Sequence, residues 1–221
     1  MSTCIEVLPV RTLDISFDKV LSLSEKNINA FLASIGVHYQ IELVAYIHAQ
    51  DESYQYEVRP NQPFFWKDTE YLWLTIKGVQ GGTDGYCYPI IDNDDKIEPY
   101  WKLDYLKEEI LAKHSKSGVM DKTDDMADTI KGIEKHNQSW TFRRSAGQSA
   151  IICISYGLIA CAVAELTDGI LFSDDGAWDY HYFPCDYSEF LAVYFRPDKT
   201  NNQDCQKWAI RCIEQVQKEF G

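Results

Sequence analysis

Apolar and polar positions along this chain fall into runs of different period, and the longest run is the simplest to interpret. From 148 to 166 no charge occurs before Glu165, and Ile151, Ile152, Ile154, Leu158, Ile159, Val163 and Leu166 are separated only by small or weakly polar residues. The helix this spacing predicts is apolar on nearly every side, so it is expected to be enclosed by the rest of the protein. A bilayer span would need about 20 apolar residues, whereas this run is shorter, interrupted by polar groups and closed by an acid. Ser145 or Gly147 is placed to start the helix, and Thr167-Asp168-Gly169 to stop it, with the glycine just past its end. Beyond it, 170–173, a turn at Asp174-Asp175-Gly176 and 177–183 predict a β-hairpin. Its second strand would carry Trp178, Tyr180 and Tyr182 on one face and Asp179, His181 and Phe183 on the other.

The first ninety residues alternate with a period of two. Residues 4–15 predict an edge strand broken at Pro9. A helix capped by Ser24 would run through Asn27, Ile28, Phe31, Leu32 and Ile35 and end at Gly36. In 38–49, Tyr39, Ile41, Leu43, Ala45 and Ile47 share one side of a strand, while Gln40, Glu42, Val44, Tyr46 and His48 share the other. Strands over 71–79 and 86–91 flank a glycine-rich loop at 80–85. After an acidic turn at 92–99, two amphipathic helices are expected. One spans 100–116 with Leu103, Leu106, Ile110 and Leu111, and the next spans 122–136 with Met126, Ile130 and Ile133. An aromatic segment over 187–195 precedes a last helix over 201–220, where Trp208, Cys212, Val216 and Phe220 recur every fourth position. The sum is an α+β fold: an antiparallel sheet with a central buried helix and flanking amphipathic helices, in a single compact domain over 1–221 that could divide only near 92–98.

Composition narrows the function classes. The chain has 221 residues, 45% of them hydrophobic, enough for a sizeable core without metals or disulfides. The start of the sequence has neither the basic stretch nor the apolar stretch of a secretory signal. Seven Cys residues, odd in number and without metal-like spacing, suit a reducing cytoplasm. The formal net charge is −13, and only 136–164 is positive, through Arg143 and Arg144. Such a surface repels nucleic acid and anionic lipid and speeds encounter with a basic protein, although acidity also serves plain solubility.

Candidate chemistry is sparse. Asp168, Asp174, Asp175 and Asp179 with His181 could converge on a metal, but Asp at 168, 174 and 175 is also what turns require, so no metal is expected. Arg143 and Arg144 stand before a helix start and could hold an anion there. Equally, one could pair with an acid of the hairpin while the other stacks on an aromatic ring. No phosphate-binding glycine loop, nucleophile elbow or cofactor fingerprint occurs, and Cys153 lies inside the apolar helix. No cofactor and no catalytic residue is therefore assigned. Rings beside acids, as in Trp66-Lys67-Asp68, are the equipment of a protein interface. The candidate partner-binding residues are Trp66, Asp68, Asp92, Asp94, Asp95, Asp174 and Asp175. Arg143, Arg144, Gly147, Gly169, Gly176 and Trp178 are expected to be structural.

The succession WTFRRSAGQSAI, apolar helix, TDGILFSDDGAWDY resembles acidic bacterial immunity proteins encoded beside polymorphic toxins, in particular the immunity protein 52 type. Residues 140–183 carry the resemblance, about a fifth of the chain. It implies a non-catalytic cytoplasmic antidote that binds one toxin enzyme, such as a nuclease, in a stoichiometric complex. The competing readings are an enzyme centred on Arg143, Arg144, Asp168, Asp179 and His181, and a scaffold domain.

Overall fold

The computed structural model describes residues 2–90, 107–110, 112–113 and 123–221, the side chains of 123–126 excepted. Seven strands form one sheet: β1 (Thr3–Leu8), β2 (Leu43–Ala49), β3 (Gln55–Glu57), β4 (Glu70–Ile76), β5 (Thr83–Tyr88), β6 (Ser139–Arg144) and β7 (Ile170–Phe172). The labelled helices are α1 (Phe17–Ser34), α2 (Thr123–His136), α3 (Ala150–Thr167), α4 (Tyr187–Val193) and α5 (Gln203–Phe220). Strand order is β3-β2-β4-β5-β6-β1-β7 and every pairing is antiparallel, which makes this an α+β fold with a buried helix.

Helix α3 is buried over almost its whole length, and α1, α4, α5, β1, β6 and β7 all pack against it. It is long and apolar enough to cross a membrane, yet 89% of it is buried inside the fold. It begins after Ser149. Asp168 ends it in the left-handed region at φ 51° and ion-pairs Arg11 at 2.6 Å, while Gly169 passes so close that a Cβ would sit 2.8 Å from the Leu8 carbonyl. Into the core shared with the helical layer the sheet turns Ile5 and Val7, Leu43, Ala45 and Ile47, Leu72, Leu74 and Ile76, and Trp140 and Phe142. The alternation of buried and half-buried residues in β2 and β4 is unbroken.

Several local expectations are corrected. β1 is interior, paired with both β6 and β7, because Pro9 lies just past its last paired residue and interrupts nothing. α1 starts at Phe17 rather than near Ser24. Phe17 and Val20 continue the buried stripe two turns earlier, and Ser24 is buried inside the helix. The hairpin over 170–183 does not form. Ala177, Trp178 and Asp179 are buried in succession, which a strand with one buried face cannot do, and Tyr180–Tyr182 makes a 3₁₀ turn instead. Tyr180 points outward, away from the environment of Trp178, whose ring stacks on Phe195 at 5.3 Å.

Among the described residues, the other face of the sheet is covered at one end. There Leu8 and Phe172, with Val10 and Ile170 beside them, meet Ile133 of α2, Ile110 and Ile90 in a second, smaller core. Of the helix expected over 100–116, residues 107–110 and 112–113 are helical, and the rest lies outside the described residues. On the remainder of this face alternate residues of β2 and β4 are half-exposed, while β5 and β6 present half-exposed Tyr86 and Arg143 and exposed Tyr88, with Asp84 and Thr141 buried among them.

Candidate partner-binding surface

Two cross-strand rows build that half-exposed face. In the first, Tyr46, Trp73, Asp84, Arg143 and Cys4 are successive register partners on β2, β4, β5, β6 and β1. In the second, His48 faces Tyr71 and Tyr86 faces Thr141, with the Tyr71 and Tyr86 rings 6.2 Å apart. His48 stacks on Tyr71 at 5.0 Å and 19°, and Tyr86 on Tyr88 at 5.9 Å and 6°. Period two put these rings on one side; opposition across the strands stacks His48 on Tyr71, whereas Tyr86 and Tyr88 stack as neighbours two apart along β5. Gly82 lets Trp73 lie down on the backbone: a Cβ there would meet the ring at 2.7 Å.

At the centre of the face Arg143 gives Nε and Nη2 to one Asp84 oxygen, at 2.8 and 2.7 Å, and its guanidinium lies 5.8 Å from the Tyr86 ring centre. The hydrogen bond to Asp84 raises the Arg143 value above the ordinary one. Burial, reinforced by the Asp84 charge, raises the phenols of Tyr71 and Tyr86, and burial also raises that of Tyr88. The rings therefore stay neutral near pH 7 and keep their O–H donors.

The ladder of rings runs out at Tyr88 into a cleft of about 370 Å³ lined by Phe65, Trp66, Lys67, Asp68, Cys87, Tyr88, Pro89, Asn137 and Gln138. Phe65 is 57% exposed and Tyr88 39%, so two large rings border the opening. The loop that carries Phe65 is pinned from behind. Glu70 accepts from the Lys67 N–H at 2.9 Å and from the Tyr54 hydroxyl at 2.6 Å, and Gln50 donates to the Asp68 carbonyl at 2.7 Å. Rigid rings on pinned backbone lose little freedom when a partner covers them, which is what interface anchors need.

Of the residues singled out from the sequence, Trp66 and Asp68 meet at this cleft. Trp66, however, is only 2% exposed and packs edge-on against Phe64 at 5.2 Å, so it forms the wall while its neighbour Phe65 faces outward. Asp68 is exposed at the rim. Asp174 is exposed elsewhere, and Asp175 is occupied within the chain, accepting from the Cys4 N–H at 2.7 Å and from Ser173 at 3.1 Å. Asp92, Asp94 and Asp95 lie outside the described residues. Gly147 and Gly176 take positive φ, 79° and 81°, in turns.

Arg143 and Arg144 are consecutive on β6 and so point to opposite faces of the sheet. They cannot close on one anion. The division of labour between ion pair and ring stacking holds, but the acid is Asp84 of β5 rather than one from 170–183, and Arg144 lies over Trp208 at 4.9 Å. The other members of the alternative centre are engaged separately. Asp168 pairs with Arg11, buried Asp179 accepts from Thr200 at 2.6 Å, and His181 is exposed beside Tyr180. Among the described residues, no three His, Cys, Asp or Glu side chains are grouped as a metal site requires. Sequence reasoning had assigned no role to Phe65, Tyr71, Trp73, Tyr86 or Tyr88. The signal available was Tyr46 and His48 on the non-core side of 38–49, matched by rings two apart at 71 and 73 and at 86 and 88. The chain matches no protein-family model, no curated protein and no solved structure.

Proposed function

We propose that this chain is a stoichiometric binding protein of the immunity type, which neutralises a basic toxin enzyme in a cytoplasm by seating it on the tyrosine-rich sheet face and the adjoining cleft. The observation that carries the reading is the run of rings from Tyr46 to Phe65, half-covered and preorganised, on a chain of net charge −13. Aromatic anchors around a central charged pair give lifetime and register, while the surrounding negative field gives rapid encounter. The resemblance over 140–183 supports the antidote class. The seven free thiols support a reducing compartment.

The test is co-expression with the product of the adjacent gene. The expected result is toxicity of that product alone, rescue by this chain, and a one-to-one complex whose association slows as salt rises while dissociation changes less. If the neighbouring product is harmless, or kills equally well with this chain present and yields no complex, the antidote reading is wrong.

A further inference from the structure

The sheet ends at β3, where one side of the backbone is open. The Ala49 N–H donates to the Tyr54 carbonyl and the Val58 N–H to the Ala45 carbonyl, both at 3.0 Å. Antiparallel ladders alternate, so Tyr54, Tyr56 and Val58 turn their backbone groups to β2, while Gln55 and Glu57 turn theirs outward. Among the described residues nothing meets those outward groups. The outward positions on either side are closed locally. Asp51 accepts from the Ser53 N–H at 3.0 Å, and the Arg59 N–H and carbonyl are engaged by Gln62 at 3.4 and 3.0 Å. The N–H and C=O groups of Gln55 and Glu57 are left as a short window on a strand exposed at every residue.

We propose that β3 is a docking edge for an extended basic segment of a partner protein, which adds antiparallel to the sheet as a further strand. The register dictates the pattern that segment must carry. Tyr56 lies opposite Ile47, a core residue, so Tyr56 and Tyr54 stand on the helical side. Their rings stack at 6.3 Å and 20°, and the Tyr54 hydroxyl is tied to Glu70 at 2.6 Å. Gln55 and Glu57 lie opposite His48 and Tyr46 and so stand on the open face. A strand bonded to Gln55 and Glu57 therefore sets cationic side chains beside Glu57 and an apolar, β-branched one beside Tyr56.

Charge decides between possible occupants. Along 51–59, Asp51, Glu52 and Glu57 are exposed against the single cation Arg59, and Lys77, which feels the Glu57 charge, is held by Glu42 at 2.9 and 3.0 Å. A second copy would bring two such acidic windows together on chains of net charge −13, and so short and acidic an edge discourages growth of like on like. A basic strand is drawn in by the same field, and it gains the backbone bonds of both outward residues on arrival.

The proposal does not rest on the antidote reading, and it is tested with synthetic pentapeptides on the full chain. Acetyl-Val-Lys-Val-Lys-Val-amide, titrated to millimolar concentration, should slow exchange of the Gln55 and Glu57 amides with water, followed by NMR, about tenfold at nine-tenths occupancy. The same peptide N-methylated at both lysines, which removes its donors and blocks the approach, should protect neither amide. The acidic counterpart Val-Glu-Val-Glu-Val should bind about tenfold more weakly or less. Gln55→Pro deletes one outward N–H and leaves the ladder to β2 whole, so it should keep the Tm and lose the peptide. Glu57→Lys should turn the preference towards the acidic peptide. No protection at millimolar peptide, equal protection by the N-methylated or acidic peptide, or protection confined to other amides overturns the proposal. So does a chain that self-associates with Gln55 and Glu57 already protected, which makes the occupant a second copy. The peptide comparisons need no substitution, so they decide the matter even where a variant fails to fold.

Discussion

Replacing Arg143 by Met keeps an unbranched stem beside Tyr86 and deletes the charge that faces Asp84. The Asp84 side chain is 9% exposed and Arg143 42%, so the substitution strands a nearly buried carboxylate at a site that water can partly reach. Breaking a fully buried pair costs about 3 to 5 kcal/mol, and losing a hydrogen bond to a charged group about 1.5 to 3. The open side of the arginine places this pair in the lower range, about 1.5 to 3 kcal/mol. For a domain of this size that is a fall of about 3 to 12 °C in Tm. Urea unfolding followed by tryptophan fluorescence should show a lower midpoint with an unchanged slope. The companion Asp84→Asn removes the stranded charge, so the double variant should be more stable than the sum of the two losses predicts, by about 1 kcal/mol or more. An Arg143→Met midpoint equal to that of the parent, or strictly additive losses, would show that the pair does not organise this face.

Three further outcomes are expected. Ile154→Ala empties space at the centre of α3 and should cost about 2 to 5 kcal/mol in urea unfolding, and parity with the parent would mean that α3 is not the core. Tyr88→Ala should leave the Tm nearly unchanged while weakening the proposed complex with a toxin enzyme by about 2 kcal/mol, roughly thirtyfold in Kd by titration calorimetry. Burial raises the Asp175 carboxyl above its ordinary value. Its ionised form therefore costs stability at neutral pH, and the cost lifts as pH falls through the raised value. Asp175→Asn, which can still accept from the Cys4 N–H, should gain most on the parent near pH 7 and lose that advantage as the medium is acidified. The opposite trend in melting scans against pH would contradict the sign.

What could be read in advance was whatever local period determines. Helix α3 was legible because apolar residues ringed it completely, and β2 because Leu43, Ala45, Ile47 and Ala49 alternate without a break. β6 was missed for the converse reason. Ser139, Trp140, Thr141 and Phe142 are all buried, so no alternation shows, and its partners on β1 and β5 lie far away in sequence. β5 was placed late because Gly81, Gly82 and Gly85 imitate a loop. In fact Gly85 brings the strand against Leu72 with no room for a Cβ beyond 3.1 Å. At 177–183 an alternation of rings imitated a strand, although Trp178 was destined for the aromatic cluster around Phe195. Nor can composition say which of two adjacent rings faces water: Phe65, rather than the expected Trp66, faces outward because Phe17 and Phe64 offer Trp66 a pocket.

The back-to-back arginines of β6 also act as a proofreading device for strand assembly. A slip of one residue against β1 and β5 would carry Arg143 into the apolar helical layer and Arg144 out to the open face, and would expel Trp140 and Phe142 at the same stroke. Each guanidinium has a partner on its own side only, an acid in front and an indole behind, so the misaligned pairing forfeits both at once. A neutral dipeptide at 143–144 would remove that penalty. Its cost should appear less in the native Tm than in refolding yield, as off-register chains that bury the wrong face and aggregate.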